Sequence, residues 1–187
     1  MNLPNRLTIA RLALTVIFVL CFALDFRFRF TAAFLVFLLA ALTDLLDGII
    51  ARRWNLITDF GKLMDPLADK ILTASAFICL IGFHDIPAWA VILIISREFL
   101  ITGLRSLAAT KGTIIPADNL GKHKTTWQMI TIIYFLLLLS LSEIQSPAWF
   151  SLAWSAGTHL LVPITVVLSV YSGLAYLFKN REIIKTA

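Results

Sequence analysis

Six apolar runs, each near the length of a bilayer crossing, leave this chain few ways to fold. A membrane-spanning helix needs about 20 predominantly apolar residues, because hydrocarbon offers the backbone no hydrogen-bond partners and a helix supplies them internally. The runs fall at about 7–24, 31–51, 66–84, 87–108, 122–142 and 152–178. They predict an all-α, polytopic integral membrane protein, with six transmembrane helices in one bundle and a single domain over 1–187. The 59% share of hydrophobic residues exceeds the roughly 45–50% of soluble chains. Gly157 and Pro163 in the last run predict a kink or an interfacial start before the true span.

Lys and Arg orient the bundle. With six spans, both termini and the second and fourth loops share one side. That side carries Arg6, Arg11, Arg52, Arg53, Lys62, Lys70, Arg97, Arg105, Lys111, Lys122, Lys124, Lys179, Arg181 and Lys185, against Arg27 and Arg29 on the other. Fourteen against two predicts that both termini face the cytoplasm. The first run carries Arg11 and no small-residue cleavage site, so it is expected to stay as a helix.

The formal net charge of +5 raises nucleic acid as a partner, but the basic residues form short clusters between apolar runs and belong to no nucleic-acid module. The expected partners are membrane lipids and a phosphorylated substrate, with no nucleic acid. Cys21 and Cys79 lie inside apolar runs and read as packing residues. Trp89, Trp149 and Trp154 lie near span ends, where interface anchors and ordinary aromatic packing are both possible.

At the end of the second run and the start of the third stand Asp44, Asp47, Asp65 and Asp69. Spacings of three and four put each pair on one face of its helix. Packing the helices would bring like charges together at a membrane boundary, at a cost of several kcal/mol that protons or cations relieve. Two divalent cations are the simplest relief. Oxygen ligands without thiol or imidazole suit hard ions such as Mg²⁺ or Mn²⁺. Gly48 and Gly61 permit close backbone approach, Ala51 is small, and Arg52 suits bidentate phosphate contact. The plainer alternative is two amphipathic helix ends whose acids pair with Arg52, Arg53, Lys62 and Lys70.

A second constellation is basic. Arg97 and Arg105 lie eight residues apart, about 80° around a helix, and can face one cavity. Lys122 and Lys124 open the fifth run, where Lys opposes the helix dipole and a bound anion would offset it. These four residues predict a phosphate pocket next to the acids. Alternatively, Glu98 neutralises a neighbouring Arg, or Arg105 reaches to the surface. His84, His123 and His159 have no partner at metal-ligand spacing and are expected to be structural, with His123 able to touch an anion.

Written out, the acidic stretch is Asp44-x-x-Asp47-Gly48-x-x-Ala51-Arg52, eight residues, then Gly61-x-x-x-Asp65-x-x-x-Asp69. It resembles the signature of the CDP-alcohol phosphatidyltransferases at all eight positions. The resemblance implies that Asp44, Asp47, Asp65 and Asp69 hold two divalent cations and that Asp69 also takes the proton of the acceptor hydroxyl. Gly48, Ala51, Arg52 and Gly61 would line the nucleotide side of CDP-diacylglycerol, with Asn5 and Thr8 beside them. Arg97, Arg105, Lys122 and Lys124 would bind the acceptor's phosphate. Pro4 to Arg11, Gly61 to Lys70, Ser96 to Phe99, Gly103 to Arg105 and Gly121 to Thr125 are similar to members whose acceptor is glycerol 3-phosphate. Asp118 departs from that likeness by placing an acid near the basic residues. The family also implies the inner (cytoplasmic) membrane of a bacterium and a homodimer.

Two other readings remain at this point. A relative making cardiolipin from CDP-diacylglycerol and phosphatidylglycerol shares the acidic signature. A small cation transporter would use the acids as a transit site, but it calls for acids near the midplane with access from both faces.

Overall fold

The computed structural model describes residues 3–54, 59–82, 86–110, 119–144 and 149–181; side chains are described there except at 3–6, 45–54, 59–63, 65–66, 109–110 and 119–120. Among the described residues six helices follow one another: α1 (Leu3–Ala23), α2 (Arg29–Trp54), α3 (Asp59–Ile81), α4 (Ala88–Thr110), α5 (Asn119–Ile144) and α6 (Phe150–Lys179). No strand occurs among the described residues. Each helix coincides with one expected run; α2, α5 and α6 overrun theirs at both ends, while α1, α3 and α4 overrun at one end and fall one to three residues short at the other. α3 begins at Asp59, ahead of the apolar run expected from 66. Helical hydrogen bonding does not stop where apolar sequence stops, so polar flanking residues extend the helix.

Among the described residues two segments, Gly121–Ile144 and Phe150–Lys179, are long and apolar enough to cross a membrane. The surface of α6 argues the same way. Its buried positions include Gly157, Thr165, Ser169, Ser172 and Gly173, while Leu152, Leu160, Val167, Leu174 and Phe178 are exposed. Trp154, Val162, Val166 and Tyr176 are buried as well, so small and polar residues make up about half of the inner side while large apolar ones lie outside, as in a helix that meets lipid. α6 runs unbroken through Pro163, although proline removes one helical hydrogen bond. Membrane helices tolerate that loss when neighbouring groups satisfy the freed carbonyl. Trp154 is buried, whereas Trp89 and Trp149 are exposed; only the latter two have the exposure that anchoring needs. Cys21 is buried, Cys79 is partly so, and both are free thiols, as packing residues would be.

The chain divides into two compact units, Met1–Leu80 with Ile132–Leu152, and Ile81–Thr131 with Ala153–Ala187. In the first, α1 and α2 form an antiparallel hairpin. Phe22 meets Phe30 near the turn with ring centroids 5.5 Å apart, and Phe18 meets Phe37 further along at 5.9 Å. The turn needs one left-handed residue, Phe28 at φ 64°. The Phe28 carbonyl accepts from Ala32 N at 2.9 Å, so Phe28 stands where a capping side chain normally would. A phenyl ring cannot cap. Glu143 of α5 does so instead: Phe30 N donates to Oε1 and Thr31 N to Oε2, each at 2.8 Å. Carboxylate charge at the positive end of a helix is favourable.

The second unit is built from α4, the first half of α5 and most of α6. Lys124, Gln128 and Thr131 on α5 and Thr165, Ser169 and Ser172 on α6 are all buried. Each trio repeats at four and three residues, so each makes one polar stripe. Thr131 and Thr165 join the stripes through a 2.8 Å hydroxyl pair.

Candidate functional site

The antiparallel hairpin has a direct chemical result at its acidic end. Seven residues back from Phe18 is Arg11, and seven on from Phe37 is Asp44, so equal steps of about 10.5 Å along opposed helices bring the two side chains level. Arg11 Nη1 lies 2.8 Å from Asp44 Oδ1, and Arg11 is fully buried while the Asp44 side chain keeps 41% of its accessibility. Buried arginine needs a counter-charge, and Asp44 provides one while still presenting carboxylate to its surroundings. Thr15 Oγ1 donates to the Arg11 carbonyl at 2.8 Å, and Thr8, one turn before Arg11, is also fully buried. The Asp44 partner is therefore Arg11, a residue that charge counting treats only as an orientation signal.

α2 carries Asp44, Asp47, Gly48, Ala51 and Arg52 in one unbroken helix, and α3 carries Gly61, Asp65 and Asp69 in another. Both carboxylate pairs thus keep the one-face spacing expected of them. Asp69 is half-buried, and its carbonyl accepts from Thr73 Oγ1 at 3.2 Å. The side chains of Asn5, Asp47, Gly48, Ala51, Arg52, Gly61 and Asp65 lie outside the described residues. Among the described residues no three Asp, Glu, His or Cys side chains gather as a metal site. The two described members of the expected set, Asp44 and Asp69, offer oxygen donors of the kind a hard divalent cation takes, and Asp44 is presented rather than sealed.

In the second unit Glu98 is the centre of the basic constellation. Arg97 Nη1 donates to Glu98 Oε1 at 3.1 Å, and Lys124 Nζ donates to the same oxygen. Both cations are largely buried, Lys124 at 3% accessibility. Arg97 Nε is buried without a hydrogen-bond partner among the described residues. Arg105, two turns on, is exposed along α4 and donates from Nε to the Tyr176 hydroxyl at 3.2 Å. Its guanidinium carbon lies 5.3 Å from that ring's centroid.

The four expected basic residues therefore have unlike surroundings. Lys122 and Lys124 are two residues apart, about 200° around α5, so Lys122 is exposed while Lys124 is buried. Glu98 pairs with Arg97, as one reading of the sequence had it, and with Lys124 as well. The remaining formal charge of Arg97, Glu98 and Lys124 is +1 (two cations less one anion). Arg105 and Lys122 are both exposed. His159 is occupied locally, its Nδ1 2.8 Å from the Ser155 carbonyl; His123 is exposed; His84 lies outside the described residues.

Sequence reading missed Tyr176, Gly173 and Glu143 altogether. Tyr176 is a buried aromatic in an apolar run, indistinguishable by pattern from packing. Gly173 and Glu143 act on residues far off in sequence, and only the charge of Glu143 so close to a span end hinted at a partner.

The family model described as CDP-alcohol phosphatidyltransferase matches residues 1–178. A Bacillus subtilis (strain 168) protein is 40% identical over 198 residues, covering 100% of this chain and 98% of its own. A Rickettsia bellii protein is 41% identical over 136 residues, 73% of this chain and 75% of its own. An Escherichia coli (strain K12) protein is 36% identical over 187 residues, 96% of this chain and 95% of its own. Each carries the name CDP-diacylglycerol–glycerol-3-phosphate 3-phosphatidyltransferase.

Proposed function

This chain belongs to the CDP-alcohol phosphatidyltransferase family, and we propose that it transfers the phosphatidyl group of CDP-diacylglycerol to glycerol 3-phosphate, giving phosphatidylglycerophosphate and CMP. The observation that carries this reading is likeness over the whole chain to a relative named for that reaction. The chain acts as one membrane domain over 1–187 with six spans. Both termini and the acids face the cytoplasm, in the inner membrane of a bacterium, and two copies form a homodimer.

The chemistry divides between donor and acceptor residues. Asp44, Asp47, Asp65 and Asp69 hold two divalent cations, Mg²⁺ or Mn²⁺. When bound, these supply positive charge that stabilises the diphosphate and the departing CMP. Arg52 adds a bidentate contact to that diphosphate. Gly48, Ala51 and Gly61 leave room for the nucleotide, with Asn5 and Thr8 flanking it. Arg97, Arg105, Lys122 and Lys124 hold the phosphate of glycerol 3-phosphate. Asp69 takes the proton from the acceptor hydroxyl as its oxygen bonds to the phosphatidyl phosphorus. The bond from that phosphorus to the CMP oxygen breaks, and CMP leaves with the electron pair. Only head groups need a polar site, since the diacylglycerol tails stay among membrane lipids.

The test is to give purified protein CDP-diacylglycerol with glycerol 3-phosphate, phosphatidylglycerol, inositol phosphate or serine, and to identify the lipid product. Phosphatidylglycerophosphate with glycerol 3-phosphate alone is expected. Cardiolipin from phosphatidylglycerol would replace this acceptor assignment with its nearest alternative.

A further inference from the structure

Glycine inside a helix costs stability relative to alanine, so a buried one calls for a reason. At Gly103 and Gly121 an added Cβ would meet nothing within 4 Å, whereas at buried Gly173 it would stand 2.8 Å from Arg97 Cγ, 3.4 Å from Nε and 3.7 Å from Cδ. Non-bonded carbons prefer about 3.5–4.0 Å. Cγ lies near the backbone end of the arginine, so the side chain cannot escape by moving its tip; it must turn about χ1, or α4 and α6 must part. Turning would withdraw Nη1 from Glu98 Oε1, 3.1 Å away. Glu98 is itself held by Lys124. The arginine is therefore fixed at two places, its head by Glu98 and its stem by the missing side chain at 173.

We propose that Gly173 is a positioning residue for Arg97, keeping the guanidinium where it serves the acceptor's phosphate. The inference rests on the acceptor reading of Arg97 given above. Gly173 touches no substrate in this scheme. It acts by leaving open the one path along α6 on which the arginine stem fits while its head keeps Glu98.

The experiment compares Gly173→Ala, Arg97→Ala and the double variant, in detergent-solubilised full-length protein, with each substrate varied in turn and thermal midpoints recorded. Gly173→Ala should raise the KM for glycerol 3-phosphate about tenfold, within the range expected for disturbing a charge-assisted contact. The KM for CDP-diacylglycerol should stay as it was. In the Arg97→Ala background the clashing Cγ, Cδ and Nε are gone, so Gly173→Ala should have no further effect on that KM and should not lower the melting midpoint. Should Gly173→Ala alone melt early, the double variant should recover the midpoint of Arg97→Ala. Equal effects of Gly173→Ala in both backgrounds, on KM or on melting, would overturn the proposal. Gly103→Ala, which meets open space, should keep both KM values and melt no lower than wild type, any rise being the propensity gain of alanine that serves as the control. If Arg97→Ala left the KM for glycerol 3-phosphate untouched, the acceptor reading would fail, and with it the catalytic purpose assigned to Gly173. The melting comparison would then report packing alone.

Discussion

Glu143, on the last turn of α5, grips Thr31 at the start of α2: its Oε2 lies 2.8 Å from both the backbone nitrogen and the hydroxyl of that threonine. The same hydroxyl lies 2.9 Å from Ser140 Oγ. Residues more than a hundred apart in sequence thus close the helix end that Phe28 cannot cap. Glu143→Ala would leave two backbone N–H groups without an acceptor. Since hydrogen bonds to a charged group are worth about 1.5–3 kcal/mol each, stability in detergent should fall by about 2–4 kcal/mol, read from reversible unfolding. Glu143→Gln keeps one carbonyl acceptor and should lose less. An unchanged midpoint for Glu143→Ala would show that the cap contributes nothing.

Asp44 has a structural duty besides any catalytic one, because fully buried Arg11 pairs with it. Asp44→Asn should therefore lower the melting temperature even in excess chelator. The loss should be about 1–3 kcal/mol, below the 3–5 kcal/mol of sealed pairs because Asp44 is partly exposed. A chelated Asp44→Asn protein as stable as chelated wild type would make the pair energetically idle.

Chelation itself should abolish phosphatidyl transfer, with Mg²⁺ or Mn²⁺ restoring it, if the proposed set of four carboxylates serves as ligands to the cations. Asp69→Asn removes a ligand oxygen and the proposed base together. Its turnover should fall more than the roughly 10²-fold low end of acid–base catalysis alone. Full activity in EDTA would sink the metal assignment, and near-normal turnover of Asp69→Asn would move the base elsewhere.

Arg105→Gln and Lys122→Gln each remove an exposed charge from the proposed acceptor set. The apparent affinity for glycerol 3-phosphate should fall roughly 10- to 150-fold, matching a charge-assisted contact of about 1.5–3 kcal/mol. Affinity for CDP-diacylglycerol should change little. Arg52→Gln should show the reverse if, as proposed, it contacts the diphosphate. The reverse pattern at Arg105 or Lys122 would mean that donor and acceptor residues have been exchanged.

Much of this protein is legible along the chain because the forces that shape it are local. The apolar runs located six helices, since backbone hydrogen bonding in a nonpolar run is satisfied within the segment itself. The eight signature positions from Asp44 to Asp69 pointed to the family, because their spacing is fixed by helix geometry within two adjacent segments. Burial of Lys124 beside exposed Lys122 was also within reach, as residues two apart on a helix face opposite ways.

What the chain did not reveal are pairings whose members are distant in sequence. Arg11 with Asp44, Glu143 with Thr31, Arg105 with Tyr176 and Arg97 against Gly173 span 33, 112, 71 and 76 residues. Each partner taken alone has an ordinary reading: a cytoplasmic charge, a loop acid, a packing aromatic, a helix glycine. Periodicity states which face of a helix a residue occupies but not which helix that face will meet. The sequence by itself determined the helices and the chemistry they carry; only the tertiary structure decided which buried charge answers which, because that depends on how deep in its own helix each residue lies when two helices pack.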